Sequence, residues 1–106
     1  MSILDLTIQY IVYTLGMHNL KIDAFNWPTG IPDKVLIKHE LFPEKVEESF
    51  FHHEARVRRV GKRLLLFSRT DSGEYIIVVF IYAARIATII TARPMTTRER
   101  KSYLRK

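Results

Sequence analysis

The stretch that most constrains this chain is Tyr75–Leu104, YIIVVFIYAARIATIITARPMTTRERKSYL. It opens with a continuous apolar run, Tyr75–Tyr82, rich in β-branched and aromatic residues. That composition fits a strand buried on both faces. After Ala83–Ala84–Arg85 a second apolar run, Ile86–Ile90, begins. Two such runs so close together predict the central antiparallel pair of a sheet. Pro94, which has no N–H to give a ladder, ends the second strand. A short basic helix follows. Thr96 suits its N-cap, and Glu99 three residues on completes a capping box. Arg93 thus stands at the mouth of a buried strand, beside a helix that carries both acid and base.

The rest of the chain supplies partners for that pair. Lys21–Trp27 alternates weakly and predicts a first strand, closed by the turn Trp27–Pro28–Thr29–Gly30. Pro32 at a first helical position and Asp33 in the first turn start a helix that ends near Lys38–His39. Leu41–Phe42–Pro43–Glu44 starts a second helix, with Val46, Phe50 and Phe51 as its apolar face. Ala55–Val60 alternates apolar and basic residues, which predicts a half-buried strand with Arg56 and Arg58 on a cationic outer face. Gly61–Lys62 turns it into a strand over Arg63–Ser68, and Arg69–Gly73 makes the next hairpin. The expected architecture is α+β: an antiparallel meander sheet, two helices before it and a C-terminal helix, with the helices segregated to one face.

The first 20 residues stand apart. Leu4, Ile8, Ile11 and Leu15 would share a helical face, whereas Leu4, Leu6, Ile8, Tyr10 and Val12 alternate as in a strand. The segment lacks a basic n-region and a cleavage site, and it is too short to span a bilayer. Met17 offers an internal start. We therefore divide the chain into an N-terminal extension, 1–20, and a single domain, 21–106. The extension is a local packed element or the product of an early start codon, and removal of Met1–Gly16 is expected to leave folding intact.

Lysine and arginine number 17 against 11 acidic residues, for a net charge of +6 and a pI near 9.8. A basic balance in a small domain favours a polyanionic partner. The chain has no cysteine. This excludes disulfides and thiol chemistry and is compatible with a reducing cytoplasm. The sequence has no glycine-rich phosphate cradle, no Ser-His-Asp signature and no acid cluster for two-metal hydrolysis. His52–His53–Glu54 suggests a metal, but adjacent histidines point apart and no third ligand sits at a useful spacing, so a satisfied surface pair is expected.

One set of residues carries a resemblance. Phe25, Trp27, Lys38, His39, Phe50, Arg69, Thr70, Gly73, Phe80, Arg85, Ile89–Ile90–Thr91–Ala92–Arg93, Glu99–Arg100 and Tyr103 follow in order and spacing a pattern that resembles the BrnT-type toxins. It covers Phe25–Tyr103, and the opening Trp27–Pro28–Thr29–Gly30–Ile31–Pro32 is similar to a Trp-Pro-x-Gly-Ile-Pro subgroup. Three positions depart: Pro28 replaces the usual Asp, Val35 an Asn and Ser68 a Gly, which leaves any role of the missing side chains open. The resemblance implies a RelE-like fold and a ribonuclease that acts on messenger RNA, free or on the ribosome, and inhibits translation. It also implies a separate DNA-binding antitoxin in a hetero-oligomer, no cofactor and no membrane.

Metal-free RNA cleavage needs a base for the 2′-OH, an acid for the leaving 5′-oxygen, and cations for the charge that grows on phosphorus. Arg93 and Arg69, each leaving a strand, are candidate phosphate clamps through their bidentate forks, or rim charges paired with carboxylates. His39 is a candidate acid or base by residue type, with Lys38 adding charge; both also suit a helix C-terminus. Glu99 is a candidate base, an orienting partner for Arg93, or the capping residue alone. Tyr103, four residues on, would stack a base, donate a proton, or pack on the sheet. Arg56, Arg58, Arg100 and Lys101 would hold flanking phosphates or remain solvated. A non-catalytic basic module that binds RNA or an acidic partner is the alternative reading.

Overall fold

A computed structural model describes residues 20–105. Residues 1–19 of the predicted extension, helix or strand, lie outside the described residues. Strand β1 (Ala24–Asn26) leads into helices α1 (Ile31–His39) and α2 (Pro43–Ser49). Four strands follow, β2 (Arg56–Val60), β3 (Arg63–Arg69), β4 (Tyr75–Ala83) and β5 (Ile86–Pro94), and then helix α3 (Thr97–Arg105). The sheet order is β1-β5-β4-β3-β2. Strands β2 to β5 form the expected antiparallel meander; β1 joins β5 in parallel, a pairing its three-residue length did not announce. Among the described residues no helix is long and apolar enough to cross a membrane.

One sheet face carries the core. Val57, Leu66, Ile76, Val78, Phe80, Ala87, Ile89 and Ala92 pack there against Val35 of α1 and Val46 of α2. Close packing is reinforced by edge-to-face rings: Phe25 to Phe50 at 5.1 Å and Phe50 to Phe80 at 4.9 Å. Polar ties fix α2. Trp27 Nε1 donates to Glu47 Oε2 at 2.7 Å, and Ser68 Oγ donates to the carbonyl of Ser49 at 2.7 Å. Ser68 therefore has a buried job at the position where the resembled pattern has Gly. Phe51, expected in the apolar face, is instead 64% exposed, with its ring edge-to-face with Phe25.

The second face departs from expectation. Strand β4 is not buried on both sides along its length: Ile77 is covered, Val79 half-buried and Ile81 40% exposed. The helices are not segregated to one face either. α1 and α2 cover the core face, while α3 crosses to the other and covers only one end of it, where Tyr103 meets Tyr75 at 6.0 Å. One irregularity decides which side chains face α3. Val79 pairs with Thr91 but Phe80 pairs with Ile89, so Ile90 is an extra residue in β5. A bulge of this kind reverses the alternation of the strand beyond it. Ile89 and Ala92 both point into the core, and Thr91 and Arg93 turn to the α3 side.

The turn between β4 and β5 is tight. Ala84 and Arg85 both have positive φ, 53° and 64°, the left-handed pair that a two-residue hairpin needs and that glycine or asparagine usually fills. Asp23 braces it: its carboxylate pairs with Arg85 Nε at 3.1 Å, and its N–H donates to the Arg85 carbonyl at 2.7 Å.

Candidate functional site

The site is built where α3 rests on the second face. Arg56, Phe67, Ile77 and Arg93 stand in one transverse row across β2, β3, β4 and β5. Arg69 and Tyr75 form the next pair toward the strand ends. With strands about 4.8 Å apart and about 3.4 Å per residue, the Arg93 and Arg69 backbones are roughly 12 Å apart on one face; Arg69 lies against the Tyr75 ring, and Arg93 turns to Glu99 of α3. Beside them lies a groove of about 560 Å³, floored by Leu65, Phe67, Ile77 and Val79 and rimmed by Arg56, Arg58, Arg93 and Arg98.

The capping box forms as the sequence predicts. Glu99 N–H donates to Thr96 Oγ1 at 3.1 Å, and Thr96 N–H donates to Glu99 Oε1 at 2.8 Å. The same carboxylate holds Arg93 bidentately: Nη1 to Oε1 and Nη2 to Oε2, both at 2.8 Å. Glu99 therefore both caps α3 and orients Arg93. The Arg93 hydrogen bond holds its carboxyl far below the usual range, from 4.5 to about 2, so it is ionised at neutral pH and a weak base. The Arg93 guanidinium is raised in turn by the same bond. Nη1 also donates to the Pro94 carbonyl at 3.1 Å. A guanidinium has five N–H donors. The end-on edge is committed to Glu99; the side edge, Nε with the second Nη2 hydrogen, keeps a parallel fork for an anion.

Arg69 is held differently. Its contacts to His52 Nε2, Tyr75 Oη and Glu54 Oε1 are 3.3, 3.4 and 3.5 Å, all near the limit of useful geometry. It is held less tightly than Arg93, whose two bonds to Glu99 are 2.8 Å. His52 is the residue that sequence reasoning missed. Its Nδ1 accepts the Glu54 N–H at 3.0 Å, and its Nε2 faces Arg69. A neutral imidazole has one acceptor nitrogen, so the two donors compete for it. Burial first, then His53 and Arg69, lower its pKa below 6.5 and keep it neutral at physiological pH. Its one sequence signal was position, immediately before the basic strand. The donor atoms of His52, His53 and Glu54 lie within 4.8 Å of one another. With Arg69 facing His52 and pairing with Glu54, the charge around them disfavours a cation there.

Tyr103 is 4% exposed. Its hydroxyl donates to the Glu54 carbonyl at 2.8 Å, and its ring lies under Arg56, whose Cζ is 4.4 Å from the centroid. Burial raises its pKa. Its polar atom and one ring face are occupied, so it anchors α3 to the sheet. Arg58 lies over Phe67 at 5.5 Å and Arg100 over Tyr75 at 5.7 Å. Lys101 is exposed on α3. Lys38 and His39 are not brought to this group. They end α1, whose Val35 packs in the core face of the sheet, opposite the face that carries Arg93 and Glu99. Proton transfer shared between His39 and Glu99 has no geometric support.

No protein-family model and no curated protein sequence matches this chain. Among solved structures, the chain is similar to the crystal structure of the Brucella abortus ribonuclease toxin BrnT, with a TM-score of 0.60 and 19% sequence identity. The match covers 70% of this chain and 97% of that one. The domain described here thus has the fold of the BrnT toxin, α+β with a mostly antiparallel five-stranded sheet.

Proposed function

We propose that this chain is an endoribonuclease toxin that cleaves RNA by attack of the 2′-OH on the adjacent phosphate, with no resident metal, and that a separate antitoxin restrains it. The observation that carries this reading is the double role of Glu99, which caps α3 and binds one edge of Arg93, so that Nε and the second Nη2 hydrogen stay available to a phosphate on the sheet face that also carries Arg69. The proposal extends to this chain the activity named for the neighbour that shares its fold.

In this scheme a phosphate bridges the Arg93 side edge and Arg69, which leaves its long contacts to do so. His52, its pKa lowered by burial, accepts the 2′-OH proton at Nε2 in the tautomer that carries its own proton on Nδ1, and Nδ1 gives up the Glu54 N–H bond in that tautomer. The 2′-oxygen bonds to phosphorus, the bond to the 5′-oxygen breaks, and solvent at this open corner protonates the leaving oxygen. The products are a 2′,3′-cyclic phosphate and a 5′-hydroxyl. The two guanidinium groups stabilise the charge that grows on the phosphorane. Glu99 positions Arg93 and does not itself take the proton. Arg56 and Arg100 hold flanking phosphates.

The test is cleavage of a single-stranded RNA by the purified chain. Arg93→Ala is expected to reduce cleavage by about 10²–10³-fold, the scale for loss of one charge-stabilising donor group, while the far-UV circular dichroism spectrum is kept. Arg93→Lys should restore little, because an ammonium keeps the charge and loses both forks. Normal cleavage by Arg93→Ala would refute the assignment.

A further inference from the structure

The second face carries an arrangement that phosphate binding does not require. Four arginines lie against aromatic rings there: Arg100 and Arg69 over Tyr75 at 5.7 and 5.9 Å, Arg56 over Tyr103 at 4.4 Å, and Arg58 over Phe67 at 5.5 Å. A chain of this size carries about one such pair. The contacts run from the strand ends beside Arg93 to the groove over Phe67, and Tyr75 and Tyr103 join the middle edge to face. The groove that ends the line has an apolar floor, Leu65, Phe67, Ile77 and Val79, inside an arginine rim. Its single acid, Glu99, is already engaged by Arg93.

We infer that this groove is a nucleobase subsite, in which a base one or two nucleotides from the cleaved phosphate stacks against Phe67 and Arg58. The inference rests on the reading of the adjoining corner as an RNA-cleaving site, and it names the substrate: unpaired RNA, whose bases are free to stack. Three features select a base. The floor is apolar, as a stacked base requires, and the rim is cationic, as its phosphates require. Arg58 is exposed and stands over the Phe67 ring, offering a second plane to a ligand that enters beside it. The floor is the face of a sheet whose β3 and β4 backbones are already paired on both sides, so a peptide strand finds no ladder to join. The groove volume, about 560 Å³, falls within the roughly 300–1,000 Å³ of small-ligand clefts. Bases in a duplex cannot enter, because stacking on a protein side chain needs them splayed out.

The experiment measures fluorescence anisotropy with a 2′-O-methyl oligoribonucleotide, which cannot be cleaved, against an abasic strand of the same length and backbone. The wild-type chain should prefer the base-bearing strand by roughly 5–150-fold, the value of one stacked base. Phe67→Leu, which conserves bulk and removes the ring, should lose that preference and leave the salt dependence unchanged; Phe67→Trp should keep it. Wild-type protein that binds both strands equally would overturn the subsite. So would Phe67→Leu that discriminates like wild type, or binding of an acidic amphipathic peptide through Phe67 by a chain that ignores bases. Cleavage is read separately. Strands bound through their bases but never cut, when 2′-OH RNA is supplied, would refute the nuclease and leave the subsite standing. RNA cut equally well by wild type and Phe67→Leu would overturn the subsite alone.

Discussion

Glu99→Gln isolates the charge of the pair that orients the site. A glutamine side-chain carbonyl still accepts the Thr96 N–H, so the cap at the start of α3 survives and the variant reports the ion pair. In the folded chain the carboxyl titrates at about 2 instead of 4.5. A shift of that size corresponds at most to about 3 kcal/mol. The side chains of Glu99 and Arg93 are 29% and 41% exposed, so solvent screening lowers the expected value to about 1–2 kcal/mol. The midpoint of thermal unfolding at pH 7 should then fall by about 4–10 °C. Because the folded-state value is depressed, this stabilisation is complete above about 4.5 and fades as the pH falls toward 2. Urea unfolding of both proteins across that range should show the gap closing. A gap that persists at the acid end, or that is absent at pH 7, would refute the argument. Cleavage by Glu99→Gln should fall as well, because a neutral amide no longer holds the Arg93 fork in place.

Two further substitutions separate chemistry from packing. His52→Ala should remove the acidic limb of the pH profile of kcat/KM, a limb that in the wild-type chain lies below 6.5 because the imidazole is lowered; an unchanged limb would exclude His52 as the base. Tyr103→Phe should cost about 0.5–1.5 kcal/mol of stability through the lost bond to the Glu54 carbonyl. Cleavage should stay within a few-fold of wild type, and a hundredfold loss with the fold intact would place the hydroxyl in the reaction.

Features governed by near neighbours were legible in the sequence. Thr96 and Glu99 are three residues apart, and their reciprocal bonds need only one helical turn. The apolar runs around Ala83–Ala84–Arg85 announced the β4–β5 hairpin, and the alternation of apolar and basic residues announced β2 as a half-buried strand. Arg69 and Arg93 were readable as strand-end arginines. What escaped depends on distant partners. The bulge at Ile90 looks like any other isoleucine in a run, yet it sets the face on which Arg93 emerges. The crossing of α3 to the second face follows from Tyr103 meeting Tyr75, Arg56 and Glu54, residues 28 to 49 positions away in the chain. His39 and His52 are equally plausible as residue types. Only the packing of Val35 into the core face and the approach of Arg69 to the loop before β2 separate the two.

The central claim is that Arg93, held by Glu99, promotes attack of the RNA 2′-OH on its own phosphate. The measurement that tests it most directly is end-group analysis of RNA cut by the purified chain in the presence of a divalent-metal chelator. The account predicts 2′,3′-cyclic phosphate and 5′-hydroxyl ends for the wild-type chain, and their loss with an Arg93→Ala variant whose fold is intact. RNA left whole by the wild-type chain, or ends bearing 5′-phosphate that form only when a divalent metal is supplied, would contradict it.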